Sequence, residues 1–505
     1  MVAGVALAGA LVAVVEAVLR LAGFGVVHEL HEFATPAGRM ATRAETSADL
    51  PPDPSRGLDR TACLVAKPPR TVRVVVCGES TAAGFPFFPH LSFGRVLEAR
   101  LRHDLPQLEV EVVNFGKAAD SSANVLQTVR DAVECAPDVV VLCSGHNEYQ
   151  ASYVDDLRDG AWPAVRRCAG ELRLSALLRT ARREEGEVSL DFAAATRGAL
   201  VGTHPFLTPS EFARGERRLR ERLDAMVTAV VADGALPLLV TQPANLADFP
   251  PCYSVHSRPL SDEARARYDP QLRELVLLAR AEPAGGRAAE LARELDAADP
   301  DVALLRYAQG LRAEAASEPA RAREEFARAL ELDGYPNRAR AGINRAIAAV
   351  ASQRDVACVD AVARFAAKSR RAAPGDDLFL DHCHPTLEGT FELADALLPT
   401  LARLLERRDV ALTNLDRTRA TLAIAPLEAW LASLALDRKL LASGPINAGN
   451  VDLKLCLLMP GVNEALRLAR SAFTTALKLD ADALAAKVGM VVIKLLNRHR
   501  DAALQ

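Results

Sequence analysis

The chain reads as a doubly wound α/β domain carrying extra helices. Short β-branched apolar runs recur along it, and stretches of helical periodicity separate them. Small polar motifs follow the ends of several runs, which is where open α/β sheets place their ligands.

Five runs are short, rich in β-branched apolar residues and bounded by turn residues, as buried parallel strands are. They are residues 71–77 (TVRVVVC), 108–114 (LEVEVVN), 138–144 (DVVVLCS), 236–241 (LPLLVT) and 356–360 (VACVD). Helical patterns at 92–103 and 122–135 separate the first three, and proline-free helical sequence at 211–233 precedes the fourth. The alternation breaks at about 263–350, a helical insertion before the fifth strand. Its centre matches a tetratricopeptide repeat in part. Gly310 takes the small position of a first helix, Ala322, Phe326 and Ala329 take the packing positions of a second, and Pro300 falls where a preceding repeat would end. EFARALELD at 325–333 is echoed by AFTTALKLD at 472–480. Two ordinary amphipathic Ala-rich helices would look the same. Solenoids need several repeats, so these helices are expected to pack on the core or on a protein partner. Residues 409–505 are Leu/Ala-rich and are expected to form a C-terminal helical module.

Residues 2–15 are continuously apolar. Glu16 and Arg20 interrupt the run, which resumes to Val27, giving a length sufficient to span a bilayer. A basic region ahead of the apolar core, which a signal peptide would need, is missing. Residues 1–27 are therefore expected to act as a membrane anchor or signal segment, with a buried Ala/Val-rich helix as the alternative. Residues 28–70, rich in proline and charge, are expected to be a linker ahead of a domain at 71–408. The nearby arginines, Arg20, Arg39 and Arg43, come late, which by charge alone favours a cytoplasmic C-terminal side. With 61 Lys and Arg against 65 Asp and Glu, no basic surplus points to nucleic acid. Nine cysteines form no CxxC pair, so neither a zinc ribbon nor a redox motif is expected, and no cofactor is implied.

The chemistry-bearing motifs follow the strands. The first strand ends in VVCGESTAAGFPFFP, where Gly78 and Gly84 allow a tight turn around Ser80. A serine there is equally a nucleophile awaiting a base or the cap of the next helix. The second ends in NFGKAADSS, where Gly116 is a turn glycine or a backbone N–H donor. The third ends in SGHNEY, where Asn147 offers a neutral donor to an oxyanion, or an Asx turn. Beyond the fifth comes LFLDHCHPTLEGT, with Asp381 and His384 one turn apart, a spacing that lets a carboxylate hold one imidazole nitrogen. Metal binding by Asp381, His382 and His384 is the rival reading, and it lacks a fourth ligand of convincing spacing.

Ser, Gly, Asn and Asp-x-x-His-Pro thus follow successive strands in order, and in that order the chain resembles the SGNH (GDSL-like) hydrolase family. The resemblance covers roughly residues 71–408, with large insertions. It implies a three-layer α/β/α, flavodoxin-like fold and ester hydrolysis, often of acyl or acetyl groups on carbohydrate or lipid. It implies Ser80 as nucleophile, His384 as base and Asp381 as its partner, with an oxyanion hole from the amides of Ser80 and Gly116 and the side chain of Asn147. Two residues depart from the pattern: Glu79 stands for the usual Asp, and Ala119 where a second glycine is common. The combination of GES, FPFFP, GHNEY and DHCHP is similar to a bacterial subgroup with an N-terminal hydrophobic segment and tetratricopeptide-like helices. Its members look like envelope or surface proteins, which implies a membrane-anchored enzyme facing the periplasm or exterior, against the charge-based orientation. QPANLADFPP, with Asn245, resembles the same subgroup, and Phe85, His90, His146 and Asn245 are candidate substrate-lining residues. Two alternatives share this reading: an O-acyltransferase using the same site, and an interaction scaffold whose site is idle.

Overall fold

The computed structural model describes residues 15–18, 29–43, 60–88, 90–150, 157, 206–408 and 410, with 470, 473–483, 485–487, 490 and 493. Three short antiparallel strands come first, β1 (His31–Thr35), β2 (Gly38–Thr42) and β3 (Ala62–Leu64). The main sheet follows: β4 (Thr71–Gly78), β5 (Glu109–Asn114), β6 (Val139–Cys143), β7 (Leu236–Val240) and β8 (Ala357–Val359). Its order is β5-β4-β6-β7-β8 and every pairing is parallel. The chain winds outward from β4 in both directions, so the carboxyl ends of β4, β5 and β6 form one crevice at the reversal point.

The helices are α1 (Ser80–Ala83), α2 (Phe93–Asp104), α3 (Ser122–Ala132), α4 (Pro209–Ala232), α5 (Asp262–Ala281), α6 (Gly286–Ala298), α7 (Ala303–Ala315), α8 (Pro319–Glu331), α9 (Ala341–Arg354), α10 (Ala361–Lys368) and α11 (Leu387–Glu406). The two-residue period of β4 divides the core. Val72, Val74 and Val76 pack with Leu97 and Leu101 of α2, Phe365 of α10 and Leu397 and Leu401 of α11. Val75 and Cys77 face the other way, onto Val129 of α3, Leu223 and Met226 of α4 and Ile347 of α9. The result is three layers. Local signals begin the long helices: Thr208 and Glu211 form a reciprocal capping box at the start of α4, with Pro209 in its first turn.

Three boundaries differ from the sequence reading. Residues 28–70 are not a plain linker, because β1–β3 dock on the main domain. Leu30, Ala41 and Cys63 join the apolar cluster of α3 and α4, and the amides of Glu29 and Leu30 donate to Asp131 of α3 at 2.6 and 3.1 Å. Arg43 reaches the loop after β5, donating to the Phe115 carbonyl at 2.8 Å and to Asp120 at 2.5 Å. The insertion ends earlier than residue 350, since Ile343, Ile347 and Val350 of α9 pack on the sheet as part of the β7-to-β8 crossover. The region beyond 409 is not wholly separate either: Phe473, Ala476, Leu479 and Ile493 lie in the same cluster as α11.

The insertion proper is α5–α8. In the α7–α8 hairpin Gly310 sits under Phe326, and a Cβ there would fall 2.6 Å from the ring. Tyr307 of α7 donates to the carbonyl of Ala247 at 3.0 Å, tying the hairpin to the loop after β7. Gly310→Ala is expected to cost about 1–3 kcal/mol through overpacking, seen as a lower urea midpoint. An unchanged midpoint would mean that the hairpin opens to accept the methyl. Among the described residues no helix is long and apolar enough to cross a membrane. The segment 1–27 lies outside them except for 15–18.

Candidate active site

Ser80 opens α1 directly after β4. Gly78 is required there, because a Cβ would fall 2.2 Å from the carbonyl oxygen of Cys143 on β6. Gly84 closes the single turn with φ of 89°, in the left-handed region that glycine adopts freely. The helix cap is Glu79, and its side chain makes no cap bond. The Ser80 hydroxyl goes elsewhere: its Oγ lies 2.7 Å from Nε2 of His384. Nδ1 of the same ring lies 2.6 Å from Oδ2 of Asp381. The carboxylate requires the proton on Nδ1, which leaves Nε2 as the acceptor for the serine hydrogen. Burial opposes an imidazolium here, but the Asp381 carboxylate and then Cys383 outweigh it, and His384 is held well above 6.5. Asp381 itself stays well below the usual carboxylate range: burial works against its charge, and His384 and His382 more than offset that. The ring of Phe85 packs on the imidazole with centroids 4.6 Å apart, which restricts its rotation.

Glu79 organises the neighbouring strand end. Its Oε1 accepts from Ser144 Oγ at 2.5 Å and Gly145 N at 2.8 Å, and its Oε2 from the amides of His146 at 3.0 Å and Asn147 at 3.2 Å. The GHN turn after β6 is therefore wrapped around the carboxyl group that precedes Ser80. Burial, followed by Glu148, pushes the Glu79 carboxyl up to about 8, while these donors pull the other way.

The donors assigned to an oxyanion are partly committed. Asn147 gives one Nδ2 hydrogen to the Asp120 carbonyl at 2.7 Å and accepts from Gln150 at 2.6 Å, leaving its second Nδ2 hydrogen. The Ser80 amide, at the first helical position, has no carbonyl to bond within α1. Gly116 has a different task. Its amide donates to Asn114 Oδ1 at 2.9 Å, and a Cβ there would fall 2.5 Å from the Ala83 nitrogen. It is a glycine because the β5 loop presses on α1. The left-handed residue of that loop is Ala119, with φ of 63°.

The other candidates divide. Phe85 faces His384 as described. His90 is half-buried, with its amide on the Phe87 carbonyl at 2.9 Å. Asn245 does not line a substrate path: it is fully buried and ties two loops together. Its amide donates to the His382 carbonyl at 3.0 Å, its Nδ2 to Asp376 at 2.9 Å, and its Oδ1 accepts the amides of Asp248 and Phe249. His146 is buried too. Its Nδ1 accepts from the Ala339 amide at 3.2 Å, so its proton sits on Nε2. Burial, then the nearby His382 and His384, lower it to about 3 and keep it neutral. Cavities of about 460 and 420 Å³ lie instead between the insertion and residues 370–376, where Arg371 pairs with Asp248 and Glu314, and neither includes a triad residue.

Residues that sequence reasoning passed over include Arg43, Glu79 in its bridging role, and Cys383. Only Glu79 left a signal: an acid at the end of a buried strand has to find partners.

No protein-family model matches the chain, and no curated protein does. Solved structures do. A lipase/acylhydrolase from Enterococcus faecalis shares 14% identity over 65% of this chain and 95% of its own, with a TM-score of 0.30. A GDSL-like lipase from Bacteroides thetaiotaomicron shares 12% over 66% and 88%, with a TM-score of 0.28. The acetylxylan esterase Axe2 from Geobacillus stearothermophilus shares 14% over 65% and 93%, with a TM-score of 0.29. At these scores the chain is similar to acylhydrolases and esterases in outline only, and its chemistry rests on its own side chains.

Proposed function

We propose that the chain is a serine ester hydrolase of the SGNH type, acting on acyl or acetyl esters of a carbohydrate or lipid. The observation that carries this reading is the unbroken relay Ser80–His384–Asp381, with contacts of 2.7 and 2.6 Å. Ser80 Oγ attacks the ester carbonyl as Nε2 of His384 takes its proton. Asp381 holds the resulting imidazolium in place. The oxyanion is stabilised by the Ser80 amide and the remaining Asn147 N–H. The tetrahedral intermediate collapses, the C–O bond breaks, and His384 returns the proton to the departing alcohol. Water, activated by the same imidazole, then releases the acid and restores Ser80.

A second reading is transfer of the acyl group to an alcohol. Ser80 and His384 are only 7 and 8% exposed, a burial that limits access of water. The test is labelling of the purified chain by a fluorophosphonate, with the adduct located by peptide mass mapping. Label on Ser80 is the expected result, and a folded chain that takes no label would overturn the reading. Ester turnover that needs an added alcohol would favour transfer.

Two further assignments belong to this reading. Residues 1–27 anchor the protein to a membrane with the enzyme on the outer side, and α7–α8 form a tetratricopeptide-like unit open to a protein partner. Deleting residues 1–27 is expected to move the protein from the membrane to the soluble fraction with its labelling rate retained. Loss of folding would instead make that segment part of the core.

A further inference from the structure

The turn that delivers the base holds more donor atoms than a triad uses. Asp381 Oδ1 accepts the amides of Cys383 at 2.9 Å and His384 at 2.8 Å, so the chain curls around the carboxylate. Nδ1 of His382 comes within 3.5 Å of the same oxygen. The ring of His382 stacks edge-on to His384, with centroids 5.3 Å apart. Cys383 is buried within this turn. One ligating atom from each of Asp381, His382, Cys383 and His384 lies within 4.8 Å of the other three.

Two imidazoles, a thiolate and a carboxylate are a ligand set for zinc-class cations. Bonds of about 2.0–2.3 Å in a tetrahedron place ligand atoms about 3.3–3.8 Å apart, so the side chains need to close by about 1 Å. Spacing alone supplied three ligands, and the fold adds Cys383 as the fourth.

We propose that Asp381, His382, Cys383 and His384 form an inhibitory site for a thiophilic divalent cation of the zinc class. The cation takes Nδ1 of His384, whose hydrogen moves to Nε2, and the thiol proton passes to solvent. A neutral imidazole metallated on Nδ1 keeps its remaining hydrogen on Nε2, so it can no longer accept the Ser80 hydrogen. The binding claim stands on the four ligands. The inhibition claim rests on the hydrolase reading above.

Cobalt(II) titrated into the purified full chain tests binding without reference to activity. The expected result is a thiolate-to-cobalt absorption band saturating at one equivalent, absent in Cys383→Ala and weakened in His382→Gln. Circular dichroism verifies that each variant is folded, and the second keeps the test decisive if the first is not. A band of equal strength in wild type and both variants comes from other thiols and overturns the site, as does no band at all. In the second arm, buffered zinc is expected to slow fluorophosphonate labelling about tenfold or more, reversibly with chelator. Each variant, referred to its own metal-free rate, should need about tenfold more zinc. Labelling that zinc does not slow overturns inhibition and leaves the hydrolase standing. A cobalt band in a chain that never labels does the reverse.

Discussion

Ser80→Ala is expected to lower turnover of an activated ester by about 10⁶-fold and to leave the thermal midpoint nearly unchanged. The serine hydroxyl makes its contact with Nε2 of His384 at 2.7 Å, and losing it removes the nucleophile without leaving a buried charge unpaired. Because the three residues act as one unit, adding His384→Ala to Ser80→Ala should cost almost nothing more. Steady-state rates of the single and double variants decide this; additive losses would mean that the two side chains act in separate steps. Asp381→Asn should lower kcat by about 10⁴-fold, since an amide no longer selects the Nδ1–H tautomer. It should also change the pH profile. Only neutral His384 accepts the serine proton, and its folded pKa stands well above 6.5, with Asp381 as the main stabiliser of the cation. Wild-type kcat/KM should therefore rise with pH and level off only on the alkaline side of an ordinary histidine. In Asp381→Asn the residual activity should level off at lower pH. Identical midpoints in the two proteins would show that the pair does not govern the base.

Glu79→Ala carries the largest expected cost to stability. Its carboxyl group, 2% exposed, accepts from one hydroxyl and three backbone amides, and alanine would leave all four donors without that acceptor. At about 1–3 kcal/mol for each unsatisfied buried group the loss is about 4 kcal/mol or more, measured by urea unfolding. Activity should fall with it, because the same turn positions Asn147. Glu79→Asp, one methylene shorter, should give an intermediate loss and show how far an aspartate can reach in this setting. Glu79→Gln turns an NH2 toward at least one backbone N–H whichever way it is placed, so it should destabilise as well. If Gln is tolerated as well as Glu, the carboxyl is carried protonated in the folded state.

The sheet was legible because its strands are short runs rich in β-branched apolar residues, interrupted only by Arg73 in β4 and by Glu109 and Glu111 in β5, with turn residues at their ends. Ser80, Asp381 and His384 stood out because their motifs follow strands in a set sequence along the chain, and the fold brings the three side chains into contact. Three features hid the rest. Gly116 and Ala119 lie three residues apart in one loop, and only the fold reveals that the glycine answers to the backbone of α1 while the alanine takes the left-handed turn. The alternation in β1–β3 runs over strands of five, five and three residues, too short to stand out beside proline and charge. Asn245 read as substrate-lining because its stretch, QPANLADFPP, resembles that of the subgroup. Its hydrogen bonds point inward instead, a direction that no one-dimensional pattern encodes.

Arg43 sets a practical lower limit on the chain that can carry this site. Its guanidinium and the Asp120 carboxylate are nearly fully enclosed, and the Asp120 carbonyl receives the Asn147 side chain. A version trimmed to the first strand of the main sheet would keep every residue of the relay. It would nonetheless leave Asp120 without its cation and free the loop that steadies Asn147. Because Glu29 pairs with Arg43 at 3.1 Å, a chain meant to keep this site begins upstream of Glu29, and recombinant fragments cut by motif alone are expected to fold poorly.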